Sequence, residues 1–383
     1  MASGCFAFNP VSIGQGFSFF LSDNGVWCCG KGIYGGLGLG PSRTNTHKQI
    51  TKVEFTQRKI NFVSCGQAHT CFLDSEGTVW VCGWNDYGQL GFDLLTPRFY
   101  PTEVEHIPKI KALHTSYNHT ILLDFEGGVW TCGWNTCGQL GTGRAQGSRP
   151  SFERVSDLPQ ILSINAGKFC SLFVGVEGSV WVAGNGNFFM NASKTDASRV
   201  EEVTGLPPIK FVSCRRSHVL FLDYTGSVWA SGSNLDGQLG VGSLLPPNKS
   251  TETSERIKVP GSEIFTAVST GDSHSLFLSN CGQVFVCGSN INGQLGLEGE
   301  KTVFELKPLP NLPHITIICA GQEQSILVDV DGVVWACGST TSGNELANAC
   351  SSVPTKIELP PIIHKQTVVP TKSARRLSGT QLT

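Results

Sequence analysis

What most limits the fold of this chain is a segment that returns seven times. It is clearest over 63–91, VSCGQAHTCFLDSEGTVWVCGWNDYGQLG, and recurs almost position for position at 113–141, 212–240 and 268–296. Looser copies lie at 11–40, 164–192 and 318–346. One aromatic position marks the register: Trp27, Trp80, Trp130, Trp181, Trp229, Phe285 and Trp335, separated by 53, 50, 51, 48, 56 and 50 residues. A period near 50 suits a propeller blade and is too long for ankyrin or tetratricopeptide units.

Inside the unit, the alternating stretch 70–73 is followed by Ser75-Glu76-Gly77 and then by the β-rich run 78–81, which is a hairpin signal. The turn glycine returns as Gly25, Gly77, Gly127, Gly178, Gly226, Gly282 and Gly332, a residue that reaches positive φ without steric cost. Beyond the second strand, Asn85-x-x-Gly88-Gln89-Leu90-Gly91 is echoed at 135–141, 234–240 and 290–296, a compact loop pinned by one leucine. Proline-ended runs such as 102–108, 152–159 and 201–207, together with the run before each Val-Ser-Cys-Gly, bring the count to four strands.

Four-stranded units of this kind cannot bury both faces alone, and a ring of them can. The expected fold is therefore all-β, a seven-bladed β-propeller of four-stranded blades over 1–364. The proline-ended run 353–360 is expected to complete the first blade, because only ten residues precede repeat 1. Residues 365–383 fall outside the scheme as a flexible basic tail.

Composition supports a folded chain, with 40% hydrophobic and 15% charged residues and 45 glycines. The formal charge of −2 becomes about −6 without the tail, which holds Lys365, Lys372, Arg375 and Arg376 and no acid. Such a body does not advertise nucleic-acid binding. No run approaches a membrane span and no secretory leader is evident, so a soluble, cytoplasmic protein is expected, with the nucleus left open. Fifteen cysteines form no Cys-x-x-Cys pair and no zinc spacing, and Cys29, Cys82, Cys132, Cys287 and Cys337 share one context before a glycine. They are read as reduced, buried thiols, and neither metal nor cofactor is expected. Gly25–Gly32 imitates a phosphate loop but lacks the terminal Ser or Thr, and Gly30–Gly35 imitates a dinucleotide fingerprint without a following helix. Neither a Gly-x-Ser-x-Gly elbow nor His-Glu-x-x-His is present, so no catalytic residue is named.

The motifs [ST]-x-G-x-x-H-[ST], x-G-x-V-W-x-C-G and N-x-x-G-Q-L-G, registered over about 11–364, resemble the regulator of chromosome condensation repeat family. The resemblance implies a seven-bladed propeller. Its members serve as exchange factors for the GTPase Ran, as modules of ubiquitin ligases, as ciliary scaffolds or as a plant photoreceptor, so fold outruns function.

His69, His119, His218 and His274 share one repeat position, held by Phe17, Cys170 and Gln324 elsewhere, and each is expected to hold the turn of its own blade. The seven aromatic markers are expected to pack between blades. Partner contact falls to the loop between the motif's glycine and histidine, on one face of the ring: Gln15, Gln67, Tyr117, Asn118, Lys168, Arg216, Asp272, Ser273, Gln322 and Glu323. In the Ran exchange factor such loops touch the GTPase, and Gly271-Asp272-Ser273-His274 matches one form they take. The photoreceptor branch places Trp between those two residues, and none stands there. The segment 185–198 is the one candidate for that factor's inserted wedge, although it reads more like a decayed Gln-Leu-Gly loop, and a basic N-terminal arm is missing. Two functions stay open: a platform that exchanges nucleotide on a small GTPase, and a scaffold or adaptor without exchange activity. Either would act as a monomer on a protein partner.

Overall fold

Each repeat folds as its alternation dictates, into four antiparallel strands taken here as A to D from the ring axis outward. The computed structural model describes residues 10–22, 24–43, 46–55, 58–144, 147–185, 198–244, 252–338 and 351–359. Over these residues the chain forms seven four-stranded sheets. Blade 2 is representative, with A at Ile60–Cys65, B at His69–Asp74, C at Val79–Gly83 and D at Arg98–Glu103. The wedge candidate beyond Asn185 as far as 197, the ends of repeats 4 and 7, and the basic tail lie outside the described residues.

Strand B is buried along its whole length in blades 2 to 7, whereas D is largely half-exposed. A blade has neighbours on both faces, so its middle strands meet apolar surface either way. Each aromatic marker in C pairs across the sheet with a large apolar residue of B, as in Phe72↔Trp80, Phe173↔Trp181 and Phe277↔Phe285. Phe20, Phe72, Phe173, Phe221 and Phe277 are fully buried, and each such ring removed from water contributes about 1.5–3 kcal/mol. The marker itself is half-buried, and Trp80 packs on the apolar cluster shared by blades 1 and 2. Trp130, Trp181, Trp229 and Trp27 do the same at the next interfaces round the ring.

A carboxylate missed in the sequence fastens the hairpin. Asp74 Oδ1 accepts from the amides of Glu76 and Thr78, and Oδ2 accepts from Trp80 Nε1 at 3.2 Å. Asp124, Asp223 and Asp329 repeat this arrangement with Trp130, Trp229 and Trp335. The signal was the recurring Leu-Asp or Val-Asp three residues before the turn glycine. All seven turn glycines have positive φ, from 78° to 129°. Gly83, after the repeated cysteine, is needed for another reason: a Cβ there would lie 2.3 Å from the Ala68 carbonyl oxygen.

Two expectations are corrected. The outer strands end before the predicted prolines, at Glu103, Arg154 and Val203, and the prolines belong to the crossing to the next blade, where no ladder N–H is required. The closing strand, Ser351–Ile357, pairs with Val334–Gly338 of its own repeat and does not complete the first blade. The outer place in blade 1 is already filled, since Gly25–Lys31 is paired with Thr46–Val53. The ring closes by side-chain packing instead, with Val11, Ile13 and Phe20 of blade 1 against Ile326, Val328 and Ala336 of blade 7.

Around the axis, a side chain from each inner strand accepts a hydrogen bond from the backbone of the next. Cys65 N donates to Ser12 Oγ, Thr115 N to Ser64 Oγ, and Ala166 N to His114 Nδ1. Cys214 N donates to Asn165 Oδ1, Thr270 N to Ser213 Oγ, and Ala320 N to Ser269 Oγ. The seventh place is held by Cys319, whose thiol meets the Ile13 backbone. Each neutral bond of this kind is worth about 1 kcal/mol net.

Candidate binding face at the channel mouth

The loops between A and B rim a channel of about 170 Å³ that all seven inner strands line. Which group points where follows from how each loop is anchored. Residues 67, 168 and 272 hydrogen-bond through their amides to the carbonyls of Tyr117, Arg215 and Gln322 in the following blade, which links the loops in pairs.

The histidines lie beneath this rim and do more than hold their own turns. His69 Nε2 stands 3.1 Å from Thr120 Oγ1 of the next blade, and that hydroxyl donates to the Gln89 carbonyl at 2.7 Å. The hydroxyl proton is thereby committed, so the imidazole donates from Nε2–H and is neutral. His119 with Ser171, His218 with Ser275 and His274 with Ser325 repeat the relay. Burial pushes all four imidazole pKa values down to about 3. The expected intrablade role is thus corrected to a clamp between blades. The repeated cysteines share its acceptor: Cys82, Cys132, Cys287 and Cys337 point their thiols at the Gly36, Gln89, Gln238 and Gln294 carbonyls. Burial raises their pKa values well beyond that of a free thiol.

The rim is divided. Over blades 7, 1 and 2 it is a crescent of half-buried amides, Gln322, Gln15 and Gln67, with Glu323 beside them. Over blades 3 to 6 it is charged and aromatic. Asp272, predicted to face a partner, is buried with its side chain only 5% exposed, and its carboxylate is already engaged. Arg215 Nε donates to Oδ1 at 2.9 Å, Tyr117 Oη donates to Oδ2 at 3.1 Å, and Arg216 Nη1 lies 3.7 Å from Oδ2. Burial and the carboxylate together push the Tyr117 phenol up to about 12. Asp272 is accordingly a fastening of the rim, and Ser273 beside it is half-buried.

Sequence reasoning passed over Arg215. It occupies the motif's glycine place in repeat 5, and its Nη1 also reaches the Ile13 carbonyl of blade 1 at 3.4 Å. The signal was the column itself, where only Ser116 and Arg215 are not glycine. A second omission is an aromatic arc. Tyr34 stacks on Trp84 at 5.5 Å, Trp84 meets Tyr87 at 5.2 Å, Tyr87 meets Trp134 at 6.3 Å, and Trp134 meets Phe169 at 5.8 Å. Lys168 Nζ ends the arc, 4.9 Å from the Phe169 ring centroid and 4.8 Å from that of Tyr117. Two Cys-Gly-Trp-Asn copies, at 82–85 and 132–135, were its visible trace. Asn118 is half-buried beside this arc, and its carbonyl accepts from Trp134 N.

No group of His, Cys, Asp and Glu able to hold a metal occurs among the described residues, and no helix there is long and apolar enough to cross a membrane.

Comparison with known proteins agrees with this architecture. The chain is similar to the probable E3 ubiquitin-protein ligase HERC4 of Rattus norvegicus, 30% identical over 334 residues, which is 85% of this chain and 26% of that protein. It is also similar to an X-linked retinitis pigmentosa GTPase regulator homolog of Caenorhabditis elegans, 39% identical over 89 residues, 23% of this chain and 6% of the other. The chain thus spans about a quarter or less of these curated relatives. Among solved structures, Prp20p of Saccharomyces cerevisiae, described with its binding to Gsp1p and histones, superposes with a TM-score of 0.79 at 23% identity, covering 93% of this chain and 87% of that one. Human WBSCR16 superposes at 0.73 with 20% identity, covering 83% and 85%. The Regulator of chromosome condensation (RCC1) repeat model matches 23–73, 76–123, 126–174, 225–278 and 281–328, more than half of the sequence, and the chain belongs to that repeat family.

Proposed function

We propose that this propeller is a protein-binding platform whose contact surface is the loop face around the channel mouth. The observation that carries the reading is the arc from Tyr34 to Phe169, a run of partly exposed, mutually packed aromatics across blades 1 to 4. Aromatic side chains are enriched in the cores of protein interfaces, and a contiguous run of them on a surface needs a cover. The HERC4 similarity and the fold shared with Prp20p fit such a role. A photo-crosslinking residue in place of Trp84 should capture the partner, whereas one at Tyr224, on the opposite face, should not. Equal capture from both positions would refute the reading.

Whether the platform exchanges nucleotide is a second question. Asp272, the one loop residue that matches the exchange-factor form, is held by Arg215, Arg216 and Tyr117, which favours the adaptor reading. A nucleotide-release assay over a panel of purified small GTPases decides it, and acceleration of any member would overturn the adaptor reading.

A further inference from the structure

The charged part of the rim has an uneven balance. In the seven loops between A and B the charged residues are Lys168, Arg215, Arg216, Asp272 and Glu323. Four of them are gathered over blades 4 to 6, three cations to one buried carboxylate, which Arg215 and Arg216 reach. Arg215 takes one oxygen of that carboxylate at 2.9 Å, and Tyr117 donates to the other at 3.1 Å. Arg216 is 3.7 Å away with a side chain 54% exposed, so its charge remains available to solvent. Lys168 is steadied by two aromatic rings, which attract a cation without neutralising it. Lys168 N donates to the Arg215 carbonyl, which brings these two loops together. Glu323 lies across the mouth on blade 7, and the exposed Asp86 and half-buried Asp236 sit farther out, on loops between C and D. A chain of formal charge −2 thus keeps a local positive excess next to its aromatic arc.

Resting on the platform reading, we infer that Lys168 and Arg216 receive the carboxylates of an acidic segment of the partner protein, one that carries an aromatic or apolar residue beside its Asp or Glu for the arc. Both cations are pre-positioned, one by ring contacts and one by the Asp272 cluster, so little side-chain freedom is lost on binding. Complementary charge of this kind raises the association rate and selects between partners.

The test uses the full chain and a fluorescein-labelled hexapeptide alternating Glu and Phe, with the Gln-for-Glu peptide as control, read by anisotropy. The acidic peptide should bind at least ten-fold more tightly than the control and weaken as salt rises. Lys168→Glu with Arg216→Glu should remove that preference, and Lys168→Arg should keep it. If the double variant has a lowered thermal midpoint, Arg216→Gln alone serves, and a several-fold loss is expected. Equal binding of the two peptides, no binding of the acidic one at millimolar concentration, or tighter binding of oligothymidylate or phosphatidylserine vesicles through the same two residues would each overturn the inference. A protein crosslinked at position 84 whose affinity ignores the double charge reversal would overturn it while leaving the platform intact.

Discussion

Blade 5 is held by its two neighbours in different ways. Towards blade 6 it offers a complete polar set: Ser213 caps Thr270 N, His218 donates to Ser275, Ser275 donates to the Gln238 carbonyl, and Arg215 pairs with Asp272. Towards blade 4 the same repeat positions hold Cys170 and Val219, and Cys170 lies sulfur to sulfur with Cys214 at 3.9 Å. The histidine and its hydroxyl partner have both gone, so neither is left buried alone. An unpaired buried polar group costs more than a made bond returns, which leads a clamp to be kept whole or replaced whole. Blade 1 shows the tolerated intermediate, where Phe17 replaces the histidine and Thr70 still donates to the Gly36 carbonyl at 2.8 Å.

Acid should separate the two junctions most strongly. The clamp histidines have folded pKa values of about 3 against an unfolded value near 6.5, so both states are neutral above pH 6.5 and protons bind preferentially to the unfolded chain below it. Stability is therefore lost as pH falls from about 6.5 towards 3, and His114, lowered to about 4 by burial and Arg215, adds to the loss. Thermal midpoints at pH 7.5, 6 and 5 should fall in that order, and hydrogen exchange should show the junction of blades 5 and 6 opening before that of 4 and 5. A flat profile would contradict the neutral, buried state of these rings.

Next in size is Arg215→Ala, which leaves the Asp272 carboxylate buried with Arg216 and Tyr117 alone and should cost about 3–5 kcal/mol by denaturant titration. Ser275→Val should follow at about 2–3 kcal/mol, since it orphans His218 Nε2–H and leaves the Gln238 carbonyl with only the weak Cys287 thiol donor. The smallest effect, about 1 kcal/mol, is expected for His218→Phe, because the hydroxyl keeps its carbonyl and blade 1 already accommodates that ring. Were His218→Phe more damaging than Ser275→Val, the account of whole clamps would fail.

Much of this was legible in the sequence because a blade is built from neighbours in the chain. The turn glycines and the strand alternation act within one blade, and the aromatic markers recur in register with them. The clamps join positions about 50 residues apart, and the ring of acceptors Ser12, Ser64, His114, Asn165, Ser213, Ser269 and Cys319 becomes visible only when repeats are aligned as columns. Contacts across the channel have no such trace. Tyr117 to Asp272 spans 155 positions and Arg215 to Ile13 spans 202, so the burial of Asp272 could not be read from its own loop. Closure was misread because a strand between two repeats can join either, and edge availability, a three-dimensional property, decides.

That closure has a topological consequence. Each sheet is one continuous stretch of chain, so no strand ladder crosses the seam between blades 7 and 1 or any of the other six. The seven sheets are thus cyclically equivalent, and a new pair of ends cut between any two blades would leave every ladder whole. Shape is kept by packing and side-chain clamps between like plates rather than by one shared strand, as in tiles set edge to edge in a circle.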